Sequence, residues 1–123
     1  MRQFGELEAA IMDRLWSWGE SATVRDVLED LQRERPIAYT TIMTVMDNLH
    51  RKEFLARELD GRAYRYWPVS TREQHAAELM REVLDASTDR TATLVQFLRQ
   101  MRPTDVARLR KALEAASSKG KRR

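Results

Sequence analysis

Short polar side chains recur through residues 38–52, and they are the groups in this chain best suited to contact another molecule. Thr41, Thr44 and Arg51 lie at helical spacing, so an α-helix would place them on one face. The apolar residues that would face a core on the other side are Ile42, Met46 and Leu49. The DNA major groove, about 12 Å wide, admits one helix, whose threonines can contact a thymine methyl group or a base-edge donor or acceptor. The pattern therefore predicts a recognition helix over residues 38–52.

Each polar residue of this segment also has a simpler interpretation. The threonines could belong to an ordinary solvated helix, and Met43 could pack against the protein instead of meeting a thymine methyl group. Tyr39 could hydrogen-bond a phosphate or cover the helix start. Arg51 could bind the DNA backbone or favour the negative C-terminal end of the helix. The residues predicted to contact DNA are Tyr39, Thr40, Thr41, Met43, Thr44 and Arg51.

Two amphipathic helices are predicted before this segment. The first runs from about residue 5 to residue 18, because apolar residues step by three and four and Gly19 follows. The second runs from about residue 24 to residue 35, because Thr23 and Asp26 form a variant of the capping box and Pro36 stops the helix. Two helices joined by a short turn, the second with a polar outer face, are typical of a helix-turn-helix motif.

After the recognition helix the hydrophobic period changes to the alternation of a β-strand. Leu55, Arg57 and Leu59 alternate with Ala56 and Glu58, and Asp60-Gly61 is a strong hairpin-turn signal. The segment after the turn, residues 62–67, is rich in aromatic residues that suit a strand. This pattern predicts a two-stranded wing. The basic residues on or beside its tip are Arg57, Arg62 and Arg65. At that position all three could meet phosphates or an adjacent minor groove, and we select Arg62 and Arg65 as the DNA contacts of the wing, the alternative being a solvated hairpin.

Three further amphipathic helices are predicted in residues 70–118. Ser70 with Glu73 forms a capping box for the first of them, and Thr104 caps the third. Below about 70 residues a lone core is marginal, so we expect these helices to pair with a second copy of the chain. The residues predicted to form this dimerisation interface are Leu79, Val83, Leu94, Phe97, Leu98, Met101, Leu109 and Leu113.

These elements predict a mainly α-helical chain with a small β-hairpin. The length of 123 residues fits one small domain with an appendage. We therefore predict a winged helix-turn-helix domain over residues 1–69 and a three-helix dimerisation region over residues 70–118. A disordered basic tail is predicted over residues 119–123.

Composition argues against several other classes of protein. No apolar run approaches the roughly 20 residues of a membrane span, and the N-terminus lacks a signal-peptide pattern, so we expect a cytoplasmic protein without membrane insertion. The chain has no cysteine, and His50 and His75 lack companion ligands. Without a catalytic or nucleotide-binding motif, we expect neither an enzyme nor a cofactor or metal. The net charge is +3, and the four cations of the tail alone supply more than this, so the rest of the chain has no excess of positive charge. Any DNA binding must therefore depend on local clusters of Lys and Arg.

The string AYTTIMT at residues 38–44 and the wing string DGRAYRY at residues 60–66 resemble the penicillinase-repressor family, which includes BlaI and MecI. The resemblance covers almost the whole chain. It implies a homodimer whose winged helices bind a palindromic double-stranded DNA operator, repressing genes of β-lactam resistance or metal handling. It also implies that a membrane sensor-protease, where present, cuts the dimerisation region. The matching bond here joins Gln96 and Phe97.

The sequence departs from the family pattern in three ways. Glu53 follows the recognition helix where relatives usually have a glycine in the left-handed conformation. The Gln96-Phe97 bond replaces the Asn-Phe bond of the best-known members, and the copper-binding cysteines of some relatives are absent. Our hypothesis is a dimeric repressor that proteolysis inactivates. Two alternatives are a winged-helix regulator that responds to a small ligand and a protein-interaction module.

Overall fold

The computed structural model describes residues 4–121, which form six helices and one β-hairpin. In chain order these elements are α1 (Glu6–Trp18), α2 (Val24–Leu31), α3 (Tyr39–Arg51), β1 (Leu55–Asp60), β2 (Ala63–Pro68), α4 (Arg72–Ala86), α5 (Arg90–Gln100) and α6 (Pro103–Lys121). The chain divides into two compact units, Met1–Met80 and Arg81–Arg123. The predicted fold class is confirmed, since the first unit combines a helix-turn-helix with a wing.

The first unit is built around a core that its first three helices and both strands share. The stripe predicted for α3 is 0% exposed at Ile42, Met46 and Leu49. The other buried residues of this core are Ile11, Met12, Leu15, Ala22, Val24, Val27, Leu28, Leu31, Leu55 and Tyr66. Within the described part of the chain, every buried hydrophobic side chain belongs to this cluster. The recognition helix is therefore held by packing along its whole inner face.

The end of α1 follows its sequence signal closely. Gly19 adopts the left-handed conformation with φ of 70°, and its N–H donates to the carbonyl of Leu15 at 3.3 Å. Of the apolar residues that step by three and four along α1, Ile11 and Leu15 are buried, Leu7 is partly buried and Trp18 is 37% exposed, while Met12 is also buried. Met12 lies next to Ile11 and Leu15 on the inner face, which leaves Trp18 at the helix end without a place in the core.

The second helix begins as predicted and ends earlier. Asp26 N–H donates to the Thr23 hydroxyl at 3.1 Å, while Thr23 N–H donates to the Asp26 carboxylate at 3.0 Å. The helix ends at Leu31, and the predicted continuation to residue 35 is wrong. Residues 32–34 form a tighter turn, and a bend follows at Arg35, whose helical conformation Pro36 disfavours. The chain therefore turns towards α3 sooner than its hydrophobic pattern suggests.

The wing is an antiparallel hairpin with a two-residue loop. Asp60 pairs with Ala63, so Gly61 and Arg62 are the central residues of the turn. Gly61 has a φ of 65°, a conformation that glycine adopts without steric cost. On the other edge of β2, Ala22 and Tyr66 exchange backbone hydrogen bonds at 3.0 and 2.8 Å. This bridge fixes the wing to the segment between α1 and α2.

The first turns of α4 belong to the winged unit. The Trp16 indole N–H donates to the carbonyl of Ser70 at 2.8 Å, and the ring of His75 stacks on Phe4 with centroids 4.5 Å apart. These contacts extend the compact unit to Met80, beyond the boundary that the sequence predicted after residue 69. The long-range aromatic partners explain the difference, because helical periodicity alone does not reveal them.

The helix cap of α4 lies one residue later than predicted. Gln74 N–H donates to the Thr71 hydroxyl with an N···O distance of 3.0 Å, and Thr71 N–H donates to the side-chain oxygen of Gln74 at 2.8 Å. The predicted box of Ser70 and Glu73 is therefore wrong. The carbonyl of Ser70 instead accepts the hydrogen bond from Trp16, which fixes this residue outside the helix.

The second unit continues through α5 and α6, whose starts differ in type. Asp89 caps α5, its carboxylate accepting from Ala92 N–H at 3.0 Å. Thr104 does not cap α6, because the helix already begins at Pro103, and proline suits the first helical position. The helix includes residues 119–121, where the sequence predicted a disordered tail. No proline interrupts that stretch, so the helical backbone hydrogen bonds can continue through it. Residues 122 and 123 lie outside the described residues.

Candidate nucleic-acid interface

All of the recognition-helix residues predicted to contact DNA lie on the exposed side of α3. They are Tyr39, Thr40, Thr41, Met43, Thr44 and Arg51. Met43 is 43% exposed, which is unusual for a methionine that only fills a core. The opposite side of the same helix is fully buried. The structure therefore brings the six side chains to one accessible surface, with a rigid core behind them.

The start of α3 lies beside the first turn of α2. The guanidinium carbon of Arg25 lies 5.7 Å from the centroid of the Tyr39 ring, a distance at which a cation and an aromatic face attract each other. Ala38, the N-cap residue of α3, makes no side-chain hydrogen bond to the first N–H groups of that helix. Arg25 is a candidate that the sequence analysis missed, since it lies on the preceding helix and shares no periodicity with residues 38–52.

The end of α3 contains the strained residue that the departure from the family pattern suggested. Glu53 has a φ of 70°, the left-handed region that side chains with a Cβ atom rarely adopt. Its N–H donates to the carbonyl of His50 at 3.0 Å, and Phe54 N–H donates to that of Leu49 at 2.9 Å. This pair of hydrogen bonds is a Schellman motif, normally closed by glycine. The geometry of the exit turn is thus retained despite the glutamate.

One carboxylate joins α3 to the wing. Oδ1 of Asp47 lies 3.0 Å from Nη1 of Arg57 in β1, and Oδ2 lies 3.0 Å from Nη2 of Arg51. The hydrogen bond from Arg57, together with the charge of Arg51, lowers the pKa of Asp47. Arg51 also donates to the side-chain oxygen of Asn48 at 2.6 Å. Two cations of the candidate interface are therefore held at fixed positions on either side of one anion.

Arg57 lies on the wing face that is turned towards the core. Residues directly opposite one another in an antiparallel pair share a face, and Arg57 is opposite the buried Tyr66. Its guanidinium lies 4.1 Å from the ring centroid of Tyr64 and donates to the Tyr66 hydroxyl at 3.4 Å. That hydrogen bond and the one to Asp47 raise the pKa of Arg57. The sequence placed Arg57 near the wing tip, where it could meet phosphates, but selected only Arg62 and Arg65 as DNA contacts.

The two wing arginines that the sequence selected have different surroundings. Arg62 is exposed in the hairpin turn. Arg65 pairs with Glu58 and lies on the other face of the wing from Arg57. Its Nε lies 3.0 Å from Oδ2 of Asp60. It also donates to the carbonyl of Ser21 at 3.4 Å. A phosphate contact from Arg65 would have to compete with these two interactions, whereas Arg62 is directly accessible.

Other titratable groups of the first unit make structural contacts. Arg14 lies 2.5 Å from Asp30 and 2.8 Å from Glu34, so these carboxylates connect α1 with α2 and the turn that follows. Nδ1 of His50 lies 3.0 Å from the carbonyl of Leu55. Within residues 4–121, no three His, Asp or Glu side chains are placed so that they could hold a metal ion.

The predicted dimerisation residues are largely solvent-exposed in the single chain. Neither α4 nor α5 contains a buried side chain. Phe97 is 46% exposed, and the exposed large apolar residues predicted for this interface are Val83, Leu94, Phe97, Leu98, Leu109 and Leu113. Leu79 and Met101 are partly buried. The peptide bond between Gln96 and Phe97 lies inside α5. None of the helices described by the structure is long and apolar enough to cross a membrane.

Comparison with known proteins agrees with this geometry. Residues 4–115 match the sequence model of the family described as penicillinase repressor. The chain is 41% identical over 116 residues to the transcriptional regulator BlaI of Mycobacterium tuberculosis, in each of two strains. The matched segment covers 92% of this chain and 84% of that relative.

Solved structures with the same fold include MepR of Staphylococcus aureus, a transcription regulator of the multidrug efflux pump MepA. The alignment with MepR has a TM-score of 0.50 and 17% sequence identity, and it covers 95% of this chain and 80% of MepR. A mutant MepR bound to an oligodeoxyribonucleotide has a TM-score of 0.50 at 17% identity, with 94% and 79% covered. At this identity the likeness concerns the fold alone.

Proposed function

Because the chain belongs to the penicillinase-repressor family, we propose that it represses transcription by binding a palindromic DNA operator as a homodimer. The observation that supports this most directly is the exposed face of α3. Threonines and Met43 occupy that face, while the opposite side is anchored by three residues that are 0% exposed. A helix with this arrangement can enter the major groove without losing its own packing. Such a regulator would act in the cytoplasm, where the operator is accessible.

We assign base reading and backbone binding to different residues of this surface. Thr40, Thr41 and Thr44 present hydroxyl and methyl groups to base edges, and Met43 presents an apolar surface to a thymine methyl group. The residues assigned to phosphate contacts are Arg25, Tyr39, Arg51, Arg57, Arg62 and Arg65. Phosphate contacts fix the register of a protein on the duplex but carry no sequence information directly. Arg65 contributes only if it leaves Asp60.

The exposed apolar stripes of α4, α5 and α6 support a dimer. In water an isolated helix of this length gains stability mainly from burying its apolar face, and neither α4 nor α5 buries a side chain in the single chain. A second copy would cover residues such as Phe97, Leu98 and Leu113. Two-fold symmetry then requires two operator half-sites, and neither needs to bind tightly alone.

We further propose that proteolysis of the second unit relieves repression of β-lactam-resistance-type genes. A protease needs an extended substrate, so α5 must open around the Gln96-Phe97 bond. Helices with few buried contacts open locally at low free energy, and α5 has no buried side chain. A cut there would separate α6 from the rest of the chain. The proposed cleaving partner is a membrane sensor-protease.

Two single substitutions test the division of labour on the DNA surface. Thr44→Ala removes a base-edge group, and we expect discrimination against altered operator positions to fall by about 1 kcal/mol. Arg62→Ala removes a phosphate contact, and we expect all duplexes to bind more weakly, with a salt slope reduced by about 0.9. Binding isotherms at several salt concentrations on matched and mismatched duplexes measure both effects. The hydroxyl control is Ser17→Ala, which removes an exposed hydroxyl group from α1, outside the proposed DNA surface.

The two substitutions must differ in kind for the assignment to hold. If Thr44→Ala and Arg62→Ala weaken every duplex equally, base reading does not come from the threonine face. If Thr44→Ala and Arg62→Ala both bind every duplex as tightly as the Ser17→Ala control does, the protein binds DNA through another surface or does not bind it at all.

A further inference from the structure

Asp47 is an anion on the face of α3 that we assign to DNA contact. It follows Met43 by four residues and precedes Arg51 by four, so all three lie on the same side of α3. Its side chain is 39% exposed. A negative charge here repels phosphates, which is a cost for any DNA-binding surface. Such a residue needs a compensating function.

Both carboxylate oxygens of Asp47 already have partners. Oδ1 accepts from Arg57 of the wing and Oδ2 pairs with Arg51 of the helix, each at 3.0 Å. Both of these partners are cations, and each oxygen keeps a second lone pair. Its direct action is therefore on the two guanidinium groups.

The guanidinium groups keep free donors while Asp47 holds them. Arg57 uses Nη1 for Asp47 and for the Tyr66 hydroxyl, and its plane is also supported by the ring of Tyr64. Arg51 uses Nη2 for Asp47 and Asn48. Each guanidinium has five N–H donors, so some remain that these contacts do not use, on side chains that are 69% exposed at Arg51 and 24% exposed at Arg57. The wing and the helix thus present two cations at a set separation.

We propose that Asp47 is a positioning residue that determines the specificity of DNA binding. It holds Arg51 and Arg57 so that both meet phosphates only when α3 is correctly seated in the groove. Holding an arginine in its bound conformation removes part of the ordering cost that a free side chain would bring to binding. At the same time the negative charge weakens attraction to duplexes that do not fit. This inference rests on the proposed DNA-binding function.

The test compares two duplexes with the full-length protein. The first duplex is the preferred sequence that wild-type protein selects from a random pool, and the second is a scrambled duplex of equal length and composition. Asp47→Asn should lower affinity for the preferred duplex about tenfold, because two arginines lose their support. It should raise affinity for the scrambled duplex a few-fold, because one negative charge is removed. Asp47→Glu keeps a carboxylate with two acceptors, and its affinities should lie between those of wild type and Asp47→Asn.

The matched control is Glu29→Gln, which removes the same charge from an exposed position on α2. It should change both affinities slightly and in the same direction. If Asp47→Asn also raises both affinities, Asp47 acts only through its charge and the inference is wrong. Equal losses on both duplexes, or no change, would also overturn it. If wild-type protein itself prefers no duplex, the proposed function fails instead.

Discussion

The two compact units of this chain use the same kind of helix in opposite ways. In the winged unit, the apolar stripes of α1, α2 and α3 are buried in one cluster, with Ile11, Leu31 and Met46 all 0% exposed. In the second unit, α5 leaves Leu94, Phe97 and Leu98 exposed. A helix stripe therefore predicts where a partner surface is needed, and only the structure distinguishes a partner in the same chain from one outside it. The first unit has its own core, whereas α5 of the second unit buries no side chain in the single chain.

The largest expected effect comes from the buried side of the recognition helix. Leu49→Ala should lower the free energy of unfolding of the winged unit by about 2–5 kcal/mol, because it leaves a cavity in a packed core. Urea denaturation followed by circular dichroism measures this change. A change below about 1 kcal/mol would mean that the core is less tightly packed than the structure indicates.

A smaller effect is expected on the exposed stripe of the second unit. Leu98→Ala should raise the dissociation constant of the dimer at least tenfold, or about 1.4 kcal/mol, because each subunit loses an apolar contact. Sedimentation equilibrium measures this constant. Arg99→Ala, one position further along α5 on a different face, is the matched control and should leave association unchanged. A purely monomeric wild-type protein would contradict the proposed division between the units.

The left-handed residue at the end of α3 offers a gain in stability. Glu53→Gly should raise the free energy of unfolding by about 1 kcal/mol, because glycine adopts a positive φ without a Cβ clash. Glu53→Ala retains the Cβ atom and should give no comparable gain. Thermal unfolding of both variants and of wild type measures the difference. Equal stability of Glu53→Gly and wild type would show that the turn is not strained by its side chain.

The smallest expected effect depends on pH and concerns the start of α1. The Glu8 carboxylate accepts from Gly5 N–H and from Lys52, each at 3.0 Å, and the Gly5 hydrogen bond is the main reason that its pKa is lowered. A carboxylate whose pKa is lower in the folded state stabilises the fold above its unfolded pKa of about 4.3. That stabilisation is lost as the pH falls through the folded pKa. Glu8→Gln should therefore cost about 0.5–1 kcal/mol at pH 7, and this cost should shrink as the pH falls below about 4.3.

Denaturation of Glu8→Gln at several pH values tests this sign. A difference from wild type that stays constant from neutral to acidic pH would show that the charge of Glu8 is not involved. The control is Glu58→Gln, which removes a carboxylate from the exposed face of the wing.

Local signals in the sequence were sufficient for most of the winged unit. Gly19, Thr23 and the hairpin turn act on neighbouring residues, and the buried stripe of α3 follows from its period. Competing local signals were harder to resolve. Ser70-Glu73 and Thr71-Gln74 both fit a capping box, and the hydrogen bond from Trp16 to Ser70, 54 residues apart in the chain, decides between them.

The sequence predicted the residues of α3 that belong to the candidate site, but not the contacts that join α3 to α2 and to the wing. Periodicity identified the residues of α3, since they share one element. It could not identify Arg25, whose relevance depends on its contact with Tyr39, or the ion pair that joins Arg57 of the wing to Asp47 of α3. It also could not show that Arg65 is engaged with Asp60. Charge clustering in three dimensions is therefore the part of the interface that requires the structure.

The central claim is that the threonine face of α3 reads base edges in two symmetrical half-sites. Selection of duplexes from a random pool by the intact protein, followed by sequencing, tests this claim most directly. We predict a palindrome whose half-sites are separated by about one helical turn, roughly 10–10.5 base pairs, or a multiple of it. Recovery of duplexes with no shared sequence at moderate salt would contradict the account.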